Sequence, residues 1–202
     1  MTPESSDEQS LINRARDGDA DAYGELVGRH QDRIYNAACY LLDDREEARD
    51  ITQDVFVRAY EKLEGFRGDA KFGTWLYSIM LNMVRNVWRK RSRRSTMVRL
   101  DKERSDEEKG KPDPPSPRDG PFEALDHKER AQRVREGIEQ LEDSRKEIIV
   151  LRDIEGLSYE EISDIMELPM GTVKSRLHRA RRRLKEKLKP IFGRDMSEKE
   201  TE

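Results

Sequence analysis

Lys174, Ser175, His178 and Arg179 fall within two helical turns of one another, in a segment where residues 171–190 carry nine lysines and arginines against one acid, Glu186. Side chains at that spacing share one side of a helix, and their donors and acceptors match the edges of bases. Val173, Leu177, Ala180, Leu184 and Leu188 lie at the complementary spacing and would face a core. The chemistry on offer is therefore recognition of a polyanion without bond making. Lys174, Ser175, His178 and Arg179 would hydrogen-bond bases, while Arg181, Arg182, Arg183, Lys185 and Lys187 would supply charge to phosphates.

Such a helix needs something to aim it. Just upstream, Ser158-Tyr-Glu-Glu161 has the form of a capping box, opening a short helix that carries Ile162, Ile165 and Met166 inward. Leu168-Pro169-Met170-Gly171 breaks that helix, and Thr172 is expected to cap the next. Two helices joined by a tight turn form a helix-turn-helix, whose second helix enters the major groove and reads bases with its N-terminal residues. A basic helix that merely pairs with acidic neighbours is disfavoured here, because Glu186 is its one acidic residue.

The net charge of −3 conceals a second basic block. Residues 1–64 hold sixteen acids and eight bases, whereas 66–95 hold Arg67, Lys71, Arg85, Arg89, Lys90, Arg91, Arg93 and Arg94 against Asp69 alone. Two basic stretches held apart in an acidic chain predict two separate contacts with a polyanion. Helical periodicity runs through Tyr23, Leu26, Val27, Ile34, Ala38 and Leu41, after a break at Gly18 and Asp19. Asp44-Arg-Glu-Glu47 resembles a capping box before the stripe Ala48, Ile51, Val55, Ala59 and Leu63, which Gly65 and Gly68 end. A third long helix carries Trp75, Leu76, Ile79, Met83 and Val87 on one face.

Residues 96–126 contain five of the eight prolines, alternating charge and few apolar residues, and read as a flexible linker. Helical periodicity resumes with Val134, Ile138 and Leu141, and no segment alternates as a strand would, so the fold is expected to be all-α. The division expected is a polar tail over 1–9, a helical domain over 10–95, the linker over 96–126, a helix-turn-helix domain over 127–190 and a polar tail over 191–202. Hydrophobic residues at 34% and charged residues at 41% suit two thin helical units better than one thick globule. The single cysteine, Cys39, permits no disulfide within the chain, and three scattered histidines compose no zinc cluster. Without an apolar leader or a stretch approaching the roughly 18 apolar residues of a membrane span, the chain reads most simply as cytoplasmic.

Two motif sets resemble one known family. Leu151-Arg-Asp-Ile-Glu-Gly-Leu-Ser-Tyr-Glu-Glu-Ile162 with Gly171-Thr-Val-Lys-Ser-Arg-Leu-His-Arg-Ala-Arg181 resembles the region-4 signature of the extracytoplasmic-function (ECF) sigma factors of the sigma-70 superfamily. Asp50-Ile-Thr-Gln-Asp-Val-Phe-Val-Arg-Ala-Tyr60 is similar to the family's region 2.2. Phe66-Arg-Gly-Asp-Ala-Lys-Phe-Gly-Thr-Trp-Leu-Tyr-Ser-Ile79 is similar to its regions 2.3 and 2.4. The resemblance covers roughly 10–95 and 127–190 and implies a non-enzymatic initiation factor. Such a factor brings core RNA polymerase to a promoter with −35 and −10 elements and helps to melt it.

Residue by residue, the resemblance implies that Thr172, Lys174, Ser175, His178, Arg179 and Arg182 serve the −35 element. It implies that Phe66, Arg67, Gly68, Asp69, Ala70, Lys71, Phe72, Asn82 and Arg85 serve the −10 element, where a flipped base is captured. On this resemblance Asp50, Gln53, Asp54 and Arg58 dock on the polymerase β′ clamp helices, and the β flap is a further contact. An anti-sigma factor, which would hold the chain at a membrane, is implied as another partner; a cofactor, a metal and a small-molecule substrate are not. Trp75 and Phe72 also fall on the apolar stripe and read as core. The linker has two readings, a stand-in for nucleic acid near the polymerase cleft or a plain tether. Gly73, where a larger residue is frequent, and Leu141-Glu142-Asp143, in place of a Leu-Pro turn, depart from the commoner pattern. A regulator with an N-terminal sensor would need a ligand pocket or phosphoacceptor in 1–95. An enzyme would need a nucleophile-base pair or paired carboxylates, and the sequence displays none of these.

Overall fold

Asp19 accepts hydrogen bonds at 3.0 Å from the N–H groups of both Asp21 and Ala22, and so begins the first long helix. In the computed structural model this helix, α2 (Ala20–Leu42), follows α1 (Pro3–Arg16) and precedes α3 (Arg45–Glu61) and α4 (Phe72–Val98). The structure describes residues 3–98 and 131–197, with side chains over 7–94 and 131–189, and every regular element among them is helical. Asp44 caps α3 through the Glu47 N–H at 3.0 Å. The Glu47 carboxylate binds Arg91 on α4, in place of the reciprocal bond expected of a capping box. A 3-10 turn, Leu63–Gly65, ends α3, and a short loop leads into α4.

The periodic residues meet as their spacing requires. Leu26, Ile34, Leu41 and Leu42 of α2, Val55 and Ala59 of α3, and Leu76, Met80, Leu81 and Val84 of α4 are buried together, with Leu11, Ile12 and Ala15 of α1 beside them. Full burial of a leucine such as Leu26 contributes about 2 kcal/mol. Helix α1 begins well before the Ser10 start expected from apolar spacing. Its early turns are held by polar contacts that periodicity does not register, Asp7 with Arg29 at 2.5 Å and Glu8 with His30 at 2.8 Å. Helix α4 continues to Val98, so 96–98 are helical; the rest of the expected linker lies outside the described residues.

In the C-terminal half, residues 131–139 are helical (α5), followed by α6 (Asp143–Ile149), a π-helical turn (Val150–Ile154), α7 (Tyr159–Met166) and α8 (Met170–Ser197). Their core is Ile138, Leu141, Ile148, Ile149, Leu151, Ile162, Val173, Leu177 and Ala180. A Cβ on Gly137 would fall 2.7 Å from Leu188 Cδ2, so glycine there lets α5 lie against α8. The halves touch: α4 packs on α7, and α2 packs on α6 and the π-helical turn.

Candidate nucleic-acid interface

Ser158 and Glu161 form the expected capping box, with bonds of 3.1 Å from the Glu161 N–H to Ser158 Oγ and 2.8 Å from the Ser158 N–H to Glu161 Oε2. Helix α7 ends with Glu167 in the left-handed region, φ 54°, and the Ser163 hydroxyl donates to the Leu168 carbonyl at 2.5 Å. The Pro169 carbonyl then accepts from the Thr172 N–H at 2.8 Å and the Val173 N–H at 3.1 Å. Helix α8 thus opens directly behind the proline, whose fixed φ suits a helix start. This corrects the sequence expectation on one point: Thr172 is inside the first turn and does not cap it, and Met170 and Gly171 are already helical.

Buried Val173, Leu177 and Ala180 set the roll of α8 and leave Lys174, Ser175, His178, Arg179 and Arg182 exposed on its outer side, with Thr172 half-buried. Arg179 lies along the helix, its Nε donating to the Ser175 carbonyl at 3.2 Å. Lys174 and Arg152 flank the Tyr159 ring, at 5.8 and 4.9 Å from its centroid. Arg181 differs from its neighbours. It donates to both oxygens of Asp153, at 2.5 and 3.1 Å, and that hydrogen bonding raises its pKa further. Arg183 likewise meets Glu186 at 3.0 Å, so two arginines of the run have internal partners where the sequence suggested phosphates.

The loop before α4 is anchored by aromatic rings. Phe66, Phe72 and Trp75 contact one another with centroids 4.9 to 5.7 Å apart, and the His30 ring lies 5.5 Å from Phe72. Phe72 is 1% exposed and Phe66 is also buried, so both hold the loop from beneath while Trp75 keeps part of its ring at the surface. A Cβ at Gly73 would rest against the His30 ring at 3.4 Å, an ordinary contact, so the space there does not by itself require glycine. Arg67, Gly68, Asp69 and Lys71 are exposed and Ala70 is half-buried. Asn82, exposed, lies about 15 Å further along α4 from Phe72. Lys71 and Arg85 face the C-terminal half, where Lys71 meets Glu161 at 2.9 Å and Arg85 meets Glu147 at 2.7 Å. Burial pushes the Glu161 carboxyl up, but its bonds to Ser158 and Lys71 outweigh burial and hold it below the ordinary value.

Asp50, Gln53, Asp54 and Arg58 are all exposed on α3. Beside them an open groove of about 820 Å³ runs between α2 and α3, lined by Tyr23, Val27, Tyr35, Phe56, Val57 and Tyr60 among others, with Asp32 and Glu61 on its lining too.

The chain matches the family models for Sigma-70 region 2 over residues 26–94 and Sigma-70, region 4 over residues 131–184. It is 36% identical to the RNA polymerase sigma-H factor of Pseudomonas aeruginosa over 188 residues, covering 92% of this chain and 95% of that one. With the ECF RNA polymerase sigma-E factor of Escherichia coli it shares 35% identity, over 93% of this chain and 97% of the other. The chain belongs to the ECF sigma factors. Among solved structures it is similar to CnrH in complex with the cytosolic domain of CnrY, with TM-score 0.66, 27% identity and coverage of 91% of this chain and 98% of that one. The sigma factor RpoE in complex with the anti-sigma factor NepR from Bartonella quintana gives TM-score 0.64 and 25% identity, over 83% and 96%.

As an ECF sigma factor the protein is a non-enzymatic, promoter-recognising initiation factor that binds core RNA polymerase and promoter DNA. Among the described residues no helix is long and apolar enough to cross a membrane. What sequence reasoning missed on this sigma factor is the groove. Val57 and Tyr60, 51% and 50% exposed, lie off the buried stripe of α3, and two large apolar residues on an otherwise polar face were the signal available. The Tyr23 hydroxyl donates to the Phe56 carbonyl at 2.5 Å, and the Tyr23 and Tyr60 rings meet edge-on at 4.8 Å, which fixes the groove wall.

Proposed function

We propose that α8 reads the −35 element from the major groove, through Lys174, Ser175, His178 and Arg179, with Thr172 and Arg182 against the backbone. The loop and first turns of α4, with Arg67 to Lys71, Asn82 and Arg85, bind the non-template strand of the −10 element and support melting. Phe66 and Phe72 hold that loop in shape. The exposed face of α3, at Asp50, Gln53, Asp54 and Arg58, docks on the β′ clamp helices together with the adjoining groove, and the C-terminal half meets the β flap. The working units are 10–95 and 127–190, joined through 96–126, and the protein acts in the cytoplasm. An anti-sigma factor is a fitting regulator, since the similar RpoE is held by one.

The observation that carries this reading is the roll of α8. Three buried residues, Val173, Leu177 and Ala180, turn a run of exposed polar and cationic side chains outward on one aimed helix. The test is run-off transcription with purified core polymerase on a genomic promoter library. Discrete starts with shared sequence blocks near −35 and −10 are expected. Starts that share only a −10 block would remove α8 from promoter reading.

A further inference from the structure

The loop before α4 runs from Phe66 to Phe72. Both rings are buried, while Arg67, Gly68, Asp69 and Lys71 between them are exposed. The two rings meet edge-on at 5.7 Å, so the loop is pinned at its ends and its crest has no fully buried side chain of its own. Behind it stand α1 and, from α2, His30. The Arg16 Nε of α1 donates to the Leu63 carbonyl at 3.2 Å, in the 3-10 turn that leads into the loop. At the crest Gly68 has φ 78°, and a Cβ there would lie 3.9 Å from Gln9 Oε1, so the crest passes alongside α1. The His30 ring supports the far end, 5.5 Å from the Phe72 centroid at an interplanar angle of 63°.

His30 is itself fixed from α1. Its Nε2 lies 2.8 Å from Glu8 Oε1, and because an ionised carboxylate only accepts, the ring donates this bond through its Nε2–H. The bond from His30, and beyond it the charges of His30, Arg29 and Lys71, hold the Glu8 carboxyl below its ordinary value in spite of burial. A ring bonded at one edge keeps its plane, so Glu8 sets the angle at which His30 meets Phe72. Apolar packing does not hold this turn of α1, since its buried residues Leu11, Ile12 and Ala15 all lie further along. Asp7 and Arg29 tie the same two helices at 2.5 Å, but both are exposed and neither is among the rings beneath the loop.

We propose that Glu8 and His30 are positioning residues for the −10 element: without touching DNA they hold Phe72, and through it the crest Arg67–Lys71, in the shape that selects a base of the non-template strand. The inference rests on reading this loop as the −10 contact and names what gives it selectivity. A base leaves the stack only where the contacts awaiting it offset the unstacking. A crest that has to be ordered at the moment of capture loses part of that gain to entropy, and one already braced from behind keeps it. Bracing also keeps the polar groups of Arg67, Asp69 and Lys71 in fixed positions, which discrimination between bases requires.

The test is transcription by holoenzyme carrying the full chain from two promoter libraries, one randomised over the −10 block with the −35 block fixed and the other the reverse. Glu8→Ala and His30→Ala should each flatten preference within the −10 block by about fivefold, the scale on which residues away from a ligand modulate its site. Preference within the −35 block should not move, which also shows that both variants fold. Glu8→Gln still offers an oxygen to the His30 N–H and should restore the −10 profile although the charge is gone. Asp7→Ala, which removes the exposed ion pair between the same helices, should keep that profile as well. An unchanged −10 profile in Glu8→Ala and His30→Ala would overturn the proposal. So would equal flattening by Glu8→Gln or Asp7→Ala, or a −35 profile that flattens alongside. Arg67→Ala with Lys71→Ala reports separately on the loop. If that variant flattens the −10 profile and Glu8→Ala does not, the loop reads DNA unaided by α1; if it leaves the profile intact, the reading of the loop as the −10 contact fails and takes the proposal with it.

Discussion

On α8, Lys174, His178, Arg179 and Arg182 stand in solvent on the outer side of a helix whose inner side is buried. On α4 and the loop before it, Lys71 and Arg85 are of the same residue types but are met by Glu161 and Glu147 from the other half of the chain. The difference teaches that charge and availability are set at different levels. Charge is fixed by residue type, whereas availability depends on what tertiary contacts bring alongside, here across 62 residues between Arg85 and Glu147. The α3 face proposed to dock on polymerase adds a contrast, with Asp50 and Asp54 exposed beside an apolar groove.

If the α3 face and the α8 face are independent, the largest effect comes from reversing charge on α3. Asp50→Lys with Asp54→Lys should weaken association with core polymerase about 100-fold or more, because like charges set against each other across an interface cost several kcal/mol. Duplex binding by α8 should be unchanged, and equal competition for core enzyme by the reversed chain would place docking elsewhere. A smaller loss sharpens the same contrast. Tyr60→Ala removes a half-exposed ring from the groove and should weaken core binding by about tenfold, the size expected for an aromatic anchor. No change in competition would confine docking to the charged residues.

The smallest effect concerns α1. Glu8 is held below its usual pKa of 4.5, chiefly by its hydrogen bond with His30 and in spite of partial burial. A carboxyl whose folded value is depressed adds stability above the unfolded value, and loses it as pH falls through the folded one. Glu8→Gln should therefore lower thermal stability by about 0.5 kcal/mol near neutrality, within the range of a pair that solvent still partly screens. The two proteins should converge as pH drops below the ordinary carboxylate range. A difference that persists in acid would mean packing, and not charge, holds α1 against α2.

The helix-turn-helix was legible in sequence because each of its signals is local. Ser158 and Glu161 are three residues apart, and Val173, Leu177 and Ala180 mark one face of one helix. Thr172 misled because it has the type of a cap, while the Pro169 carbonyl three residues back already begins the helix. The groove was not legible, since Tyr23 and Tyr60 build its wall from two helices and neither spacing implies the other. Nor was the π-helical turn at Val150–Ile154, whose residues fit an ordinary α-helical pattern. Trp75 and Phe72 could each be stacking platform or core because an apolar ring serves either, and burial separates them, with Phe72 in the core and Trp75 keeping part of its ring at the surface.

The division of labour between the two basic faces is tested most directly by transcription from core polymerase on three templates: the native promoter, one with a scrambled −35 block and one with a scrambled −10 block. Arg179→Ala should lose about tenfold or more on the native promoter, in keeping with roughly 1–3 kcal/mol of discrimination from one base-reading side chain, and should no longer distinguish the native from the scrambled −35 block at one or two positions. Arg182→Ala should weaken all templates alike, lowering the slope of log affinity against log salt by about 0.9 for the phosphate contact removed. Lys71→Ala with Arg85→Ala should leave −35 discrimination intact and reduce opening. If Arg179→Ala instead weakens native and −35-scrambled templates by the same factor, α8 does not read bases through that face, and the account of this sigma factor's recognition helix fails.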